Sequence, residues 1–163
     1  MSDTPFVKHH YGPYADKLRH ALNNMEGHFI RGVGDGVVDA EIEPIGEALN
    51  EADKFILDHE NSALSERVAR VRRLIEGFQS SYGMELLASV HWVATREQGV
   101  ASAKEATVAV QNWNRRKQSL MTQGHVEAAW SRLEAEGWLS GQESTHPNHS
   151  SYYRSDATER RAP

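Results

Sequence analysis

The chain has 163 residues and a net charge of −5, a size typical of one globular domain and a charge that argues against a general nucleic-acid binder. It contains no cysteine, which excludes disulfides and thiolate chemistry and makes a reducing cytoplasm the expected location. We find no apolar run of membrane length and no signal peptide, so we expect a soluble cytoplasmic protein.

Charge is distributed unevenly along the chain. Residues 1–61 hold 12 acids and 5 bases, whereas residues 62–139 hold 8 acids and 10 bases. Residues 140–163 have 3 of each and are rich in serine, threonine, histidine and asparagine. We therefore predict one domain over residues 1–139 and a disordered tail over residues 140–163.

The first elements are predicted from helical spacing and turn residues. Residues 1–12 are expected to be irregular, and Pro13 suits the first turn of a helix that ends near Gly27. Short β-favouring runs on both sides of Asp35 then predict a small hairpin near residues 29–42, similar to the wing of a winged helix.

Four further helices are expected beside the central one described below. One runs from about residue 47 to 60, and the next starts after Asn61 or Ser62 and carries a clean apolar stripe. The capping box Ser102-Ala103-Lys104-Glu105 starts a helix that reaches about Lys117. The last helix ends at Gly137, where a left-handed residue belongs.

The central helix covers residues 82–94 and is apolar over more than half of its circumference, which is typical of a buried helix. Ser80 can cap its start. Glu85 and Ser89 lie on its one polar stripe, and His91 lies inside its apolar arc, where a core histidine bonded to a neighbouring carbonyl is expected. The fold class that results is mainly α, with about six helices around this buried helix.

No catalytic, metal or cofactor site can be singled out from the sequence. The alternating glycines Gly32, Gly34 and Gly36 do not have the dinucleotide-binding spacing, and they are better explained by a turn. The clustered histidines, His9-His10 and His146-x-x-His149, lack the second ligand pair that a zinc site needs.

Two charged surfaces are candidate binding sites. The acidic one is the candidate for binding a positively charged partner, with solubility as the alternative explanation. Its residues are Asp35, Asp39, Glu41, Glu43 and Glu47. The basic one suits phosphate or an acidic partner, with an ordinary solvated helix surface as the alternative. Its residues are Arg67, Arg70, Arg73, Arg115, Arg116 and Lys117.

Several sequence runs together resemble one known family. The main runs are Tyr11-Gly12-Pro13-Tyr14, Leu74-Ile75-Glu76-Gly77-Phe78 and Tyr82-Gly83-Met84-Glu85-Leu86-Leu87-Ala88-Ser89-Val90-His91-Trp92-Val93-Ala94. Trp113-Asn114-Arg115-Arg116-Lys117 supports them. Over roughly residues 8–139 the chain resembles the C-terminal domain of DarG-type antitoxins.

The resemblance implies a bacterial toxin–antitoxin system. In such antitoxins an N-terminal macrodomain removes ADP-ribose from DNA, and the C-terminal domain binds DarT, a toxin that ADP-ribosylates single-stranded DNA. No macrodomain is present here, so the resemblance implies a non-catalytic, cofactor-free module whose partner is a DarT-like toxin. The alternatives are a winged-helix-like nucleic-acid binder that uses the arginine clusters, and a remnant domain without a partner.

Overall fold

The computed structural model is mainly helical, as the sequence predicts, and describes residues 5–33, 41–58 and 62–139. That part of the chain contains seven helices: α1 Asp16–Met25, α2 Ala48–Asp58, α3 Ser62–Ile75, α4 Ser81–Arg96, α5 Ala103–Gln111, α6 Arg115–Leu120 and α7 Gln123–Ala135. Two antiparallel strand pairs accompany them: β1 Val7–His9 with β2 Gly12–Tyr14, and β3 Ile30–Arg31 with β4 Glu43–Pro44. The tail predicted over residues 140–163 lies outside the described residues, and the boundary at 139 stays a prediction.

The core is formed by α4, α5 and α7, which pack against one another. The start of α4 is fixed by Ser80, whose side chain accepts a hydrogen bond from the Gly83 N–H at 3.1 Å, as expected of an N-cap. Leu87 on α4 is 4% exposed, which confirms that this helix is central. The buried apolar side chains are Leu86, Leu87, Val90, Val93, Ala106, Val110, Met121, Val126, Ala129 and Leu133.

The two faces of α4 differ from the prediction. Met84 and Ala88, which belong to the apolar arc, are exposed, whereas Ser89 on the polar stripe is fully buried. The reason is that the stripe faces the interior, where a charged side chain described below meets it. Ser89 can be buried because its hydroxyl has a hydrogen-bond partner in the interior, which hydropathy alone does not reveal.

The helix predicted over residues 103–117 is wrong in its second half. The capping box is present, because the Ser102 Oγ accepts the Glu105 N–H and the Glu105 carboxylate accepts the Ala101 N–H at 2.8 Å. However, α5 ends at Gln111, and a new helix starts after Asn114, whose side chain accepts the Lys117 N–H at 2.9 Å. This second cap explains why there are seven helices in the described residues and not six.

The irregular N-terminus that the sequence predicts is instead the β1–β2 hairpin. Pro13 pairs with Lys8 in this two-stranded ribbon, so it does not occupy the first turn of α1, which begins at Asp16. A proline without an N–H is tolerated in such an edge strand. The ribbon forms because its turn is bound by side chains distant in sequence, which no local pattern reports.

The elements α1, β3, β4 and α2 contribute no residue to the buried apolar core. α1 has no buried residue. The predicted hairpin near residues 29–42 is present as the β3–β4 pair, with its second strand at Glu43–Pro44, just beyond the predicted range. The Glu26 carboxylate accepts the backbone N–H groups of Gly32 and Val33 and so fixes the start of the connection between these strands.

Candidate functional site

Lys117 is fully buried and lies at the centre of a polar cluster within the fold. Its Nζ donates to the Glu85 carboxylate at 2.5 Å, to the Ser89 Oγ at 2.9 Å and to the Tyr11 carbonyl at 3.1 Å. An ammonium group has three donors, and these three acceptors match them. The side chain that the sequence assigns to a basic surface therefore has no donor left for a phosphate.

The carboxylate in this cluster is shared between two cations. The Arg116 Nη1 donates to the same Glu85 Oε1 at 2.6 Å, and its guanidinium also lies 5.0 Å from the centre of the Tyr11 ring. Burial lowers the pKa of Lys117, and the hydrogen bond to Glu85 opposes that effect. The same carboxylate raises the pKa of Arg116. The cluster thus keeps two positive charges and one negative charge in fixed positions.

The turn of the β1–β2 hairpin is bound to this cluster through its backbone. The Trp113 indole N–H donates to the His9 carbonyl and the Asn114 amide to the His10 carbonyl, each at 2.9 Å. Together with the bond to the Tyr11 carbonyl, three consecutive carbonyls accept hydrogen bonds from α6 and the residues before it. Three of the runs that carry the family resemblance, residues 11–14, 82–94 and 113–117, therefore meet in one place.

These contacts give the shared motifs a structural role, which sequence reasoning missed. The signal was present in the pair Glu85 and Ser89, which lie one turn apart on an otherwise apolar helix. Such a pair predicts a buried polar partner. What the sequence could not show is which of the basic side chains supplies it.

The arginines of α3 connect this helix to the end of α7. The Arg70 Nη2 donates to the Gly137 carbonyl at 3.2 Å, and its guanidinium lies 4.8 Å from the centre of the Trp138 ring. The Arg73 Nε donates to the Glu136 carboxylate at 3.3 Å. The basic surface predicted from the sequence is thus largely occupied by intramolecular contacts.

The other two members of the basic surface are Arg67 and Arg115, and both are exposed. They lie on different helices, α3 and α6. Lys117 is buried, so it cannot be part of an exposed basic surface with the other five residues.

His91 is half-buried beside Trp138, as the core-histidine interpretation expects, with ring centres 6.2 Å apart. Burial lowers its pKa below the ordinary value of 6.5, and the positive charge of Arg96 acts in the same direction. A hydrogen bond to the Trp138 backbone opposes both effects. The imidazole is therefore held in its neutral form more strongly than in an unfolded chain.

The acidic surface lies in and around the second strand of the β3–β4 ribbon and at the start of α2. Glu41, Glu43 and Glu47 are all exposed. Glu43 pairs with Arg31 across the β3–β4 ribbon at 2.6 Å, and this is the one ion pair that the surface forms among the described residues. The other two predicted members, Asp35 and Asp39, lie outside the described residues.

The described part of the chain contains neither a cluster of metal ligands nor a membrane-spanning helix. No group of three or more histidine, aspartate or glutamate side chains is arranged as metal ligands would be. None of the helices combines the length and the apolar character needed to cross a membrane.

The fold and its contacts define a mainly α-helical protein with a lysine-centred polar cluster beside its apolar core, and with an exposed acidic edge formed by Glu41, Glu43 and Glu47. A comparison with known protein families finds no match. Individual curated proteins do match over most of the chain. The sequence is 38% identical over 133 residues to a DNA ADP-ribosyl glycohydrolase of Mycobacterium tuberculosis strain H37Rv, and 36% identical over 138 residues to one of Thermus aquaticus.

These matches cover 78% and 85% of this chain but 38% and 37% of the relatives. The chain therefore spans less than two fifths of the length of the curated relatives. Homologues with this name support a relationship to DarG-type proteins, as the resemblance of the motifs predicts.

Proposed function

We propose that this chain is a non-catalytic, antitoxin-like module that binds and inhibits a DarT-like DNA ADP-ribosyltransferase toxin. The observation that carries the proposal is the exposed acidic edge of a domain related to part of the DNA ADP-ribosyl glycohydrolases. On this proposal the glycohydrolase chemistry of the relatives belongs to the part of their chains that this one does not match.

The mode of inhibition follows from charge. A toxin that modifies single-stranded DNA needs a positively charged groove for the phosphate backbone. Glu43 lies in β4, Glu41 comes two residues before it, and Glu47 immediately precedes α2, so the three carboxylates fall within seven residues of the chain. We propose that this edge occupies the DNA groove of the toxin and so excludes its substrate.

The test measures binding to an inactive variant of a DarT-like toxin. The double variant Glu41→Lys, Glu47→Lys is chosen because Glu43 also holds Arg31 and its replacement would disturb the ribbon. We expect this variant to lose about tenfold or more in affinity at physiological salt, mainly through slower association. The helical circular-dichroism signal should not change, because neither carboxylate has a partner among the described residues.

The matched control is Glu66→Lys, Glu134→Lys, which changes the net charge by the same amount at exposed positions of α3 and α7. If both double variants lose affinity equally, net charge and not the acidic edge drives binding. If the wild-type chain binds no toxin of this class, the proposal is wrong.

The non-catalytic part of the proposal has its own measurement. The pure chain should release no ADP-ribose from ADP-ribosylated single-stranded DNA under conditions in which a full-length DNA ADP-ribosyl glycohydrolase does. Release at a comparable rate would show that this part of the relatives carries the activity.

A further inference from the structure

An apolar cleft of about 410 Å³ opens beside the acidic edge, between the turn that precedes β3 and the exposed face of α2. Apolar side chains form almost all of its surface, and a single carboxylate stands at its rim. The lining residues are Phe29, Ala48, Glu51, Ala52, Phe55 and Ile56.

The walls of this cleft are fixed by backbone hydrogen bonds. The Phe29 N–H donates to the Met25 carbonyl, and the Phe29 carbonyl accepts the Ile45 N–H, each at 2.9 Å. The Ala48 N–H donates to the Ile45 carbonyl at the same distance, which sets the start of α2 against the turn. The cleft is therefore formed before anything binds, and binding would cost little ordering of the chain.

The shape suits one apolar side chain. Ala48 and Ala52 lie one helical turn apart and contribute only small side chains to the lining, whereas Phe29 and Phe55 contribute aromatic rings that remain 47% and 55% exposed. Aromatic rings left this open to water gain free energy when an apolar group covers them. Buried anchors of this kind supply most of the affinity of protein interfaces.

The charge around the cleft determines what kind of chain presents that side chain. Glu47, Glu51 and Asp53 are exposed and form no ion pair with any other described residue. Lys54 is the one base between residues 41 and 56. Because the cleft and its neighbouring residues carry net negative charge, a partner segment is complementary when it carries lysine or arginine around its apolar group.

We propose that this cleft binds one large apolar side chain of a positively charged, amphipathic segment of the partner protein. This inference rests on the proposed function, because the partner is the same basic toxin that the acidic edge attracts. The acidic edge accounts for the attraction of the two proteins, and the cleft accounts for the lifetime of the complex. The two contributions are separable because charge acts mainly on association and apolar burial mainly on dissociation.

The test fills the cleft. Ala52→Leu places a larger side chain in its lining without changing charge, and leucine is a good helix former, so α2 is retained. The matched control is Asn50→Leu, which adds the same side chain at an exposed position of α2 outside the lining. We expect Ala52→Leu to raise the Kd for the inactive toxin about tenfold, through faster dissociation, and Asn50→Leu to leave it within about twofold.

A synthetic probe keeps the two proposals distinguishable. It is a lysine-rich amphipathic helical peptide with one row of leucines, compared with a glutamate-for-lysine peptide and an alanine-for-leucine peptide. Nuclear magnetic resonance should show the first peptide shifting the signals of Phe29 and Phe55, and the two control peptides having no effect at the same concentration. Ala52→Leu should abolish those shifts.

Each outcome decides one of the two proposals. If the wild-type chain binds the toxin and Ala52→Leu binds it equally well, the cleft plays no part and this inference is wrong while the proposed function stands. If no toxin binds but the lysine–leucine peptide occupies the cleft, the cleft binds basic amphipathic segments and the proposed function is wrong. If the peptide shifts signals elsewhere or none at all, the assigned chemistry of the cleft is wrong.

Discussion

Replacing Lys117 with methionine tests the polar cluster most directly. Methionine keeps most of the length and the apolar stem of lysine but removes all three donors. The Ser89 Oγ and the Tyr11 carbonyl then lose their bonds to the ammonium group, and Glu85, whose side chain is 9% exposed, keeps Arg116 as its remaining cation. The variant therefore removes one member of a buried charge pair and leaves the buried Ser89 hydroxyl and the partly buried Tyr11 carbonyl without this donor.

The expected cost follows from these losses. Removing one partner of a buried ion pair typically costs ~3–5 kcal/mol, because the other charge is left uncompensated. Arg116 offsets part of that cost here, and each acceptor left unsatisfied adds ~1 kcal/mol or more. We expect Lys117→Met to lower the free energy of unfolding by about 3 kcal/mol, measured by urea denaturation.

A second measurement tests the geometry and not the total stability. Because the lysine holds the turn of the β1–β2 hairpin, hydrogen exchange of the Gly12 and Tyr14 amides should speed up more than exchange in α4. The control is Arg115→Met, an exposed neighbour whose loss should cost less than about 0.5 kcal/mol. A cost below about 1 kcal/mol for Lys117→Met, or equal effects of the two variants, would refute the buried lysine-centred cluster.

Three further predictions concern α4. Gly83→Ala should lower the free energy of unfolding by about 1–3 kcal/mol, because a Cβ there would lie 2.6 Å from the Phe78 carbonyl oxygen. The control is Gly124→Ala in α7, which should be neutral or stabilising because its Cβ would meet nothing within 4 Å. Equal effects of the two variants would contradict the close packing at Gly83. Leu87→Ala should cost ~2–5 kcal/mol in urea denaturation, and a cost below about 1 kcal/mol would mean that α4 is not the core helix. The lowered pKa of His91 means that below pH ~6.5 the unfolded chain binds more protons than the folded one, so acidification destabilises the fold. The difference in Tm between wild type and His91→Gln should therefore shrink or reverse between about pH 7.5 and about pH 5, and a difference that does not depend on pH would argue against this titration.

The sequence by itself determined the features whose physics is local. Helix starts follow from side chains that cap their own backbone, as at Ser80 and Ser102, and these caps are where the patterns placed them. The end of the last helix is equally local, since Gly137 adopts a φ of +69° and the Trp138 N–H returns to the Leu133 carbonyl at 2.8 Å. The centrality of α4 follows from its wide apolar arc, which must be covered by other elements.

Only the tertiary structure decided which polar groups are inside. Lys117 reads as a surface residue because charged side chains are rarely buried, and its burial depends on Glu85 and Ser89, which come about thirty residues earlier. The β1–β2 hairpin likewise has no strong local pattern and exists because its turn carbonyls find donors more than one hundred residues away. The apolar cleft depends on the β3–β4 pairing, which brings Phe29 against α2. In all three cases the environment of a residue is set by a contact with a residue distant in sequence. Sequence patterns report only the local conformational and burial preferences of each residue, so they could not reveal these contacts.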